Sequence, residues 1–392
     1  MKKFLIISFG EITLKKNNRS FFEKILANHI NIVLKNYHLH LIKEKRGRCI
    51  IFIDDTFEIT ELLQELRNIF GIKNIYEGYQ IARDLDTALE GCVRLLGKTK
   101  TYKVRARRTD KSYPLCSMEI NNKLGELINK RIDDIKVDVH KPEVLLNLEV
   151  YHSYFLVYKK VITGVGGLPY SCSGKVVSLL SSGIDSPAAS WMMMKRGCEV
   201  IFVHFHTPPY TGENSILKVK DLVHKLALYS FLPLRLYMVN ITALQIAIKK
   251  FCKEKHITII TRRMMGKITQ HIADLENAKG IVTGEAMAQV ASQTLYNLYC
   301  VNDVYKLPVL RPLIGFDKED IIILARKIGT YDISIREGDD CCALFSPKHP
   351  ETKGKLDMVM EDEKIVMNEL GNILPYNYEI CDIQDEKQVR NQ

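Results

Sequence analysis

The sequence lacks any run of about 18 uncharged apolar residues, the length that a membrane-spanning helix needs. The apolar stretch from Lys3 to Ser8 ends at Gly10 and Glu11, which makes it too short for the core of a secretion signal. We therefore expect a cytoplasmic protein without a membrane partner.

Paired metal-ligand spacings are also missing. The ten cysteines form no Cys-X-X-Cys pair, so the sequence predicts no zinc site and no disulfide framework. In a reducing compartment most of these thiols should be buried apolar residues. The one unusual feature is the adjacent pair Cys341 and Cys342.

Acidic residues are too few to balance the basic ones. The formal net charge of +10 favours association with a polyanion, although it does not identify which one. At 392 residues the chain exceeds the size at which one hydrophobic core keeps growing, so two or three domains are expected.

The first 60 residues read as a small α+β domain. The pattern predicts a strand over Lys3–Ser8, a helix over Phe21–Asn36 and a strand over Arg48–Asp54. A basic loop, which taken alone is more typical of a solvated turn, precedes the helix and contains Lys15, Lys16 and Arg19.

A basic strand marks the second predicted domain, residues 61–165. From Thr101 to Thr109 apolar and basic residues alternate with a period of two, which predicts a strand with one basic face. The stretch 98–111 has seven basic residues and one acidic residue. A solvated face is one interpretation, but we favour contact with a nucleic-acid backbone, since side-by-side like charges repel. The candidate residues are Lys103, Arg105, Arg107, Arg108 and Lys111.

The stretch 161–174 contains four glycines and one proline, a composition typical of a linker. Beyond it, short apolar runs alternate with helical segments, which indicates a parallel sheet covered on both faces. The runs are 176–180, 200–205, 234–239 and 280–283. We expect a third domain over residues 166–392, with ligands beyond the carboxyl ends of its strands.

A loop suited to phosphate follows the first of these strands. Ser186 is a natural N-cap and Pro187 fits the first helical position, so the loop 181–186 lies over a helix N-terminus, where free amides attract anions. Gly183 lets the backbone approach a phosphate, and Asp185 fits a magnesium ion bridging carboxylate and phosphates. The Gly-Lys-Ser/Thr ending of a Walker A loop is missing there.

This loop, Ser181-Ser-Gly-Ile-Asp-Ser-Pro187, resembles the SGGxDSP loop of the PP-loop ATP pyrophosphatases, which adenylate an oxygen and release pyrophosphate. Ser182 departs from the pattern, because the family usually has glycine there. The side chain could narrow the phosphate site or require a different φ.

Seven further segments resemble, in order, the tRNA 4-thiouridine synthase branch, also called the thiamine-biosynthesis sulfurtransferases. They are Gly10-Glu-Ile with the basic loop after it, KVRARRTDKSYP from Lys103, GGLP from Gly166, HFHTPP from His204, RRMM from Arg262, TGEAMAQVASQT from Thr283 and RPLI from Arg311. The resemblance implies a ferredoxin-like domain and a THUMP domain that hold tRNA, followed by a PP-loop domain that performs the chemistry. It also implies a homodimer.

Nucleotide contacts are implied by the same resemblance. They are Leu179, Leu180, Ser181, Ser182, Gly183, Asp185 and Ser186 of the first strand and loop, His204 and Phe205 after the next strand, and Arg262, Gly284 and Gln293. Taken singly, Phe205 could be a core residue, Arg262 a surface charge and Gln293 an amide on a helix face. ATP and magnesium are the implied cofactors.

The Asp-Cys pair at 340–341 occupies the place of the family's essential cysteine, which selects Cys341 for sulfur transfer. Without the resemblance, the residues alone favour a buried structural pair. Many relatives continue into a rhodanese domain with its own persulfide cysteine, for which we expect no room before Gln392. Sulfur is then expected from a separate donor such as a cysteine desulfurase.

The implied reaction activates uridine-8 of tRNA with ATP and replaces O4 with sulfur. Two alternatives stay open at this stage. The chain could be a tRNA-binding protein with a decayed ATPase, or it could supply sulfur to the thiazole of thiamine.

Overall fold

The computed structural model describes residues 1–44, 47–337, 347, 349–371 and 377–384. These residues form two compact units, one spanning Met1–Pro169 and the other beginning at Tyr170. The division falls inside the glycine-rich stretch 161–174. Across the described residues, no helix has the length and apolar character needed to cross a membrane.

The first unit is built on one sheet of eight strands. In chain order these are β1 (Lys2–Phe9), β2 (Ile42–Glu44), β3 (Arg48–Ile53), β4 (Ile72–Ile81), β5 (Thr101–Arg108), β6 (Lys136–Val137), β7 (Val144–Val150) and β8 (Phe155–Thr163). Their spatial order is β2-β3-β1-β4-β8-β7-β5-β6. The helices are α1 (Arg19–Lys35), α2 (Thr60–Arg67), α3 (Leu85–Leu96) and α4 (Ser117–Arg131), and a 3-10 turn spans Glu11–Leu14.

Alternation along β5 follows the predicted period. Tyr102 and Val104 are buried, whereas Arg105 and Arg107 are exposed. The Tyr102 hydroxyl donates a hydrogen bond to the Gly125 carbonyl of α4 at 2.9 Å, which identifies the face that the helices cover. The basic residues therefore lie on the opposite face, as the period of two predicts.

The second unit has a six-stranded sheet with helices around it. Its strands are β9 (Lys175–Leu179), β10 (Glu199–His206), β11 (Leu234–Asn240), β12 (Ile281–Val282), β13 (Val309–Leu310) and β14 (Tyr378–Ile383). Its helices are α5 (Asp185–Lys195), α6 (Glu213–Ala227), α7 (Thr242–Phe251), α8 (Ile257–Leu275), α9 (Leu295–Asn302), α10 (Lys318–Ile328), α11 (Tyr331–Ser334) and α12 (Leu356–Glu369). Two 3-10 turns span Glu254–His256 and Ala291–Gln293.

The strand order β13-β12-β9-β10-β11-β14 creates a topological switch point beside β9. From β9 the chain continues to β10 and β11 on one side, whereas β12 and β13 lie on the other side. The pairs β9–β10, β10–β11, β9–β12 and β12–β13 are all parallel, which confirms the predicted parallel sheet. The edge strand β14 is antiparallel to β11 and was not predicted. A crevice at a switch point is where such folds bind ligands.

Candidate active site at the carboxyl ends of the strands

A cavity of about 310 Å³ opens at this switch point. Its wall comes from the ends of β9 and β10, the segment after β12, helix α8 and the turn Ala291–Gln293. This arrangement follows from the parallel sheet. Its strands are short and apolar, and the polar residues that follow them lie together at the same edge of the sheet. The cavity thus gathers side chains that are far apart in sequence.

The loop between β9 and α5 is held by two serines. The Ser186 hydroxyl accepts a hydrogen bond from the Ser181 amide at 2.9 Å and donates to the Ser181 carbonyl at 3.2 Å. Helix α5 begins at Asp185, two residues before the predicted first helical position Pro187, and Ser186 does not act as its N-cap. The hydroxyl closes the loop instead of capping the helix amides, which leaves those amides for an anion.

Ser182 fits the loop without strain. Its side chain is buried, its φ is not positive, and it does not line the cavity. A serine at this position therefore neither narrows the cavity nor requires glycine-like geometry.

Gly284 is required by a close contact with α5. A Cβ at this position would lie 2.7 Å from both the amide nitrogen and the Cα of Ser186. Only glycine lets the segment after β12 approach the start of the helix so closely. Gly284 thereby sets the width of the cavity at the loop.

His204 is oriented by the strand next to it. Its Nδ1 lies 2.8 Å from the Leu180 carbonyl, and because a carbonyl only accepts, Nδ1 carries the hydrogen. The side chain is buried, as is Phe205 beside it, and both line the cavity.

A buried carboxylate organises the opposite wall. Glu285 forms ion pairs with Arg262 and, at 2.6 Å, with Arg311, and it accepts a hydrogen bond from Thr283 at 2.8 Å. Burial alone would raise the pKa of Glu285, but the two guanidinium charges and the hydrogen bonds outweigh it and lower the pKa below its ordinary value. Arg262 also donates to the Ser292 carbonyl at 2.9 Å, which connects this cluster to the turn Ala291–Gln293.

A lysine from α10 lies beside the loop between β9 and α5. Lys318 Nζ lies 2.6 Å from Asp185 Oδ1, and both side chains are partly exposed. An ammonium group beside a carboxylate at a helix N-terminus suits the binding of phosphate together with a cation.

Ten of the twelve predicted nucleotide residues line the cavity. They are Leu179, Leu180, Ser181, Asp185, Ser186, His204, Phe205, Arg262, Gly284 and Gln293. Gln293 has a buried side-chain oxygen with no hydrogen-bond partner among the described residues. Ser182 and Gly183 belong to the loop but do not line the cavity. Their assignment, like that of the other ten, remains a prediction about ligand contact.

Sequence analysis missed the roles of several residues. Glu285 and Arg311 both fall inside the quoted motifs. Glu285 is a carboxylate between a glycine and an alanine, which was a signal for a functional residue. Tyr305 lines the cavity and Lys318 reaches its loop, but neither stands in a recognisable pattern. Only the folded chain brings them to the site.

The predicted tRNA contacts lie in the first unit and form two groups. Arg105, Arg107 and Lys111 are exposed, whereas Lys103 donates to the Val139 carbonyl at 2.9 Å and Arg108 to the Tyr113 carbonyl at 3.2 Å. The group around the start of α1 is Lys15, Lys16 and Arg19, of which Arg19 pairs with Glu23 at 2.8 Å. Strands β1 and β5 stand four positions apart, roughly 19 Å.

Cys341 and Cys342 lie outside the described residues, so their predicted roles stay predictions. Among the described part of the chain, no group of three or more His, Cys, Asp or Glu residues could hold a metal ion by itself.

Three family models match the chain. The model described as thiamine biosynthesis protein (ThiI) matches residues 171–367, the ThiI ferredoxin-like domain matches residues 4–76, and the THUMP domain matches residues 92–159.

Similar proteins carry a consistent description. A probable tRNA sulfurtransferase of Caldanaerobacter subterraneus subsp. tengcongensis is 45% identical over 366 residues, which cover 93% of this chain and 95% of the relative. Another from Moorella thermoacetica is 40% identical over 388 residues, 98% of this chain and 99% of the relative. The crystal structure of a 4-thiouridine synthetase–RNA complex with bound ATP has a TM-score of 0.87 and 36% identity, and covers 98% of this chain and all of that chain.

Proposed function

The chain belongs to the ThiI family, and on this premise we propose that it is an ATP-dependent tRNA sulfurtransferase that converts a tRNA uridine into 4-thiouridine. The family matches also confirm the predicted fold, with ferredoxin-like and THUMP modules preceding the parallel-sheet domain. The family description names thiamine biosynthesis, so the enzyme could also supply sulfur for the thiazole of thiamine.

One observation carries the proposal for this chain. Residues predicted from five separate segments, around positions 179–186, 204–205, 262, 284 and 293, meet around a single cavity at the switch point of the sheet. Its volume of about 310 Å³ lies within the range of small-ligand pockets. This convergence supports ATP as the ligand, with its phosphates at the N-terminus of α5.

The residues of the cavity would then have separate roles in binding ATP. The amides at the N-terminus of α5 bind the phosphates, and the α5 dipole stabilises their charge. His204 and Phe205 flank the base or ribose from the next strand. Uridine O4 at tRNA position eight attacks the α-phosphorus, pyrophosphate leaves, and C4 becomes electrophilic. The outer sulfur of a protein persulfide then attacks C4 and AMP leaves. A second thiol cleaves the remaining sulfur–sulfur bond, which leaves the sulfur on C4 and forms a disulfide that a thiol reductant reduces.

Magnesium fits this site through Asp185. A magnesium ion is usually held by one or two carboxylates together with substrate phosphates, so a single cavity-lining carboxylate at the phosphate loop suffices. When bound, the ion would neutralise phosphate charge. Lys318, 2.6 Å from Asp185, adds a second positive charge at the same place.

Sulfur delivery is proposed to use Cys341. A thiolate is the form that accepts or cleaves a persulfide, and a cysteine desulfurase is the simplest donor. We also propose a homodimer that acts in the cytoplasm, where both tRNA and such a donor would be available.

The alternative is a tRNA-binding protein with a decayed ATPase. Ser182 suggested it, but the side chain of that residue is buried away from the cavity and its φ is not positive. Mass spectrometry of tRNA nucleosides from a deletion strain separates the two functions. Loss of 4-thiouridine, restored by the wild-type gene, supports the enzyme, whereas persistence of 4-thiouridine in the deletion strain contradicts it.

A further inference from the structure

Helix α9 forms part of the cavity wall through Val301 and presents an aromatic face to solvent on its opposite side. This face consists of Leu295, Tyr296 and Tyr299, which are 66%, 59% and 67% exposed. Positions 295 and 299 are four residues apart and positions 296 and 299 three, so the side chains are neighbours on one side of the helix. Its other side is buried through Leu298 and Val301. Three adjacent large apolar side chains that are exposed to solvent form an uncommon patch, and such a patch indicates a binding surface.

The helix beneath this face is fixed at its N-terminus. The Asn297 side chain donates to the carbonyls of Ala291 at 2.9 Å and Glu351 at 2.7 Å. The Thr294 hydroxyl donates to the Thr352 carbonyl at 2.7 Å. Anchoring the helix in this way also places the segment 351–355 beside the N-terminal end of the aromatic face.

Charge and position indicate which class of molecule binds to the aromatic face. The segment 351–355 exposes Lys353 and Lys355, whereas its acidic residue, Glu351, lies 3.4 Å from Lys255. Exposed aromatic rings beside lysines are typical of surfaces that bind unpaired nucleotides. A protein interface core, by contrast, is usually depleted of lysine.

The cavity lies on the other side of α9 from the aromatic face, and the chain reaches the helix directly from the cavity wall. Ser292 and Gln293 line the cavity, and the helix starts two residues later, at Leu295. A uridine in folded tRNA must leave its stack before its O4 can reach an α-phosphate inside a cavity. A stacking surface on the outer side of the cavity wall would hold neighbouring unpaired nucleotides and compensate for the lost base stacking.

We infer that the aromatic face of α9 binds unpaired nucleotides of the tRNA by stacking on Tyr296 and Tyr299, on the outer side of the cavity wall. The inference rests on the proposed function. Both tyrosines are substrate-binding residues, since they contact the tRNA outside the cavity. Lys353 and Lys355 contact the adjoining phosphates.

The test uses the full-length chain with the changes Tyr296→Ala and Tyr299→Ala combined. The rate of tRNA-dependent pyrophosphate release, expressed as kcat/KM for tRNA, should fall about 10-fold or more, the typical contribution of one stacked base. The affinity for ATP should stay unchanged. The pair Tyr296→Phe and Tyr299→Phe should retain activity, because phenylalanine stacks equally well.

Leu275→Ala is the matched control. Leu275 is 53% exposed at the end of α8, on the side where β12 begins, away from the carboxyl ends that form the cavity. This variant should behave as wild type in every assay, and thermal unfolding of all variants checks that they are folded.

Three results would overturn the inference while leaving the function intact. In the first, the alanine pair keeps full tRNA-dependent pyrophosphate release. In the second, it changes only the sedimentation coefficient, which makes the face an interface between copies. In the third, it blocks only sulfur delivery from a desulfurase, which makes it a donor site. A wild-type protein inactive on tRNA would instead overturn the proposed function, and the inference with it.

Discussion

Lys318 Nζ lies 2.6 Å from Asp185 Oδ1, although the two residues are 133 positions apart in the chain. The pair brings the start of α10 to the phosphate loop. Because both side chains are partly exposed, the pair should contribute little to stability, typically less than about 1 kcal/mol.

We therefore expect Lys318→Ala and Asp185→Ala to separate activity from stability. Each should reduce tRNA-dependent pyrophosphate release about 100-fold or more, the effect typical of removing one group that stabilises developing charge. The free energy of unfolding in urea should change little. A loss of activity that only matched a loss of folded protein would contradict a role at the phosphates.

The close contact at Gly284 gives a second prediction. In Gly284→Ala the new Cβ would meet Ser186 at 2.7 Å, so the phosphate loop must shift. A displacement of that kind can cost about 100-fold in rate. Gly315→Ala is the control, since nothing lies within 4 Å of its Cβ position. Steady-state kinetics with ATP as the varied substrate should distinguish them, and equal values for the two variants would count against the contact.

The charge cluster around Glu285 predicts a pH-dependent stability. Its pKa is lowered in the folded protein, so the ion pairs stabilise the fold above the unfolded pKa and this stabilisation is lost as pH falls through the folded pKa. Glu285→Gln leaves Arg262 and Arg311 without their shared carboxylate and should cost roughly 3 kcal/mol at neutral pH.

Urea unfolding at pH 7 and near pH 4 measures this difference. The gap between wild type and Glu285→Gln should be largest at pH 7 and should shrink in acid. A gap of constant size at both values would show that the carboxylate contributes through shape and not through charge.

A fourth prediction concerns the basic strand β5. Arg105→Glu combined with Arg107→Glu should weaken tRNA binding and reduce the slope of log affinity against log salt by roughly 1 for each lost phosphate contact. Lys130→Glu with Arg131→Glu makes the same charge change at the end of α4, which packs on the opposite face of β5. If both pairs weaken binding equally, total charge decides the affinity and β5 is not the contact.

The last prediction separates the two adjacent cysteines. Cys341→Ser should keep ATP and tRNA binding but lose thiolation when desulfurase and cysteine are supplied, because the thiol acts only in sulfur transfer. Cys342→Ser should retain most activity. The reverse pattern would move the assignment by one residue. Full activity in the double variant would mean that the donor's persulfide or free sulfide attacks the activated uridine directly.

Local patterns in the sequence determined the elements and their faces. The period of two in Thr101–Arg108 predicted which residues of β5 are buried, since alternation in a strand depends only on backbone geometry. The apolar runs predicted β9, β10 and β11, because a strand buried on both faces must be apolar throughout. The phosphate loop was recognisable for the same reason, as its residues are contiguous.

Only the tertiary structure decided which distant residues share the cavity. Lys318 and Tyr305 carry no local signal, since their positions depend on how α10 and α8 pack around the sheet. The Ser186 hydroxyl looked like a helix cap in sequence, yet the fold of the loop gives it the backbone of Ser181 as partner. The exposed face of α9 likewise cannot be predicted from the sequence Leu-Tyr-Asn-Leu-Tyr, because packing in the folded chain decides which of these side chains are buried. A sequence specifies each segment's preferences, whereas contacts between segments arise only when the whole unit closes around one core.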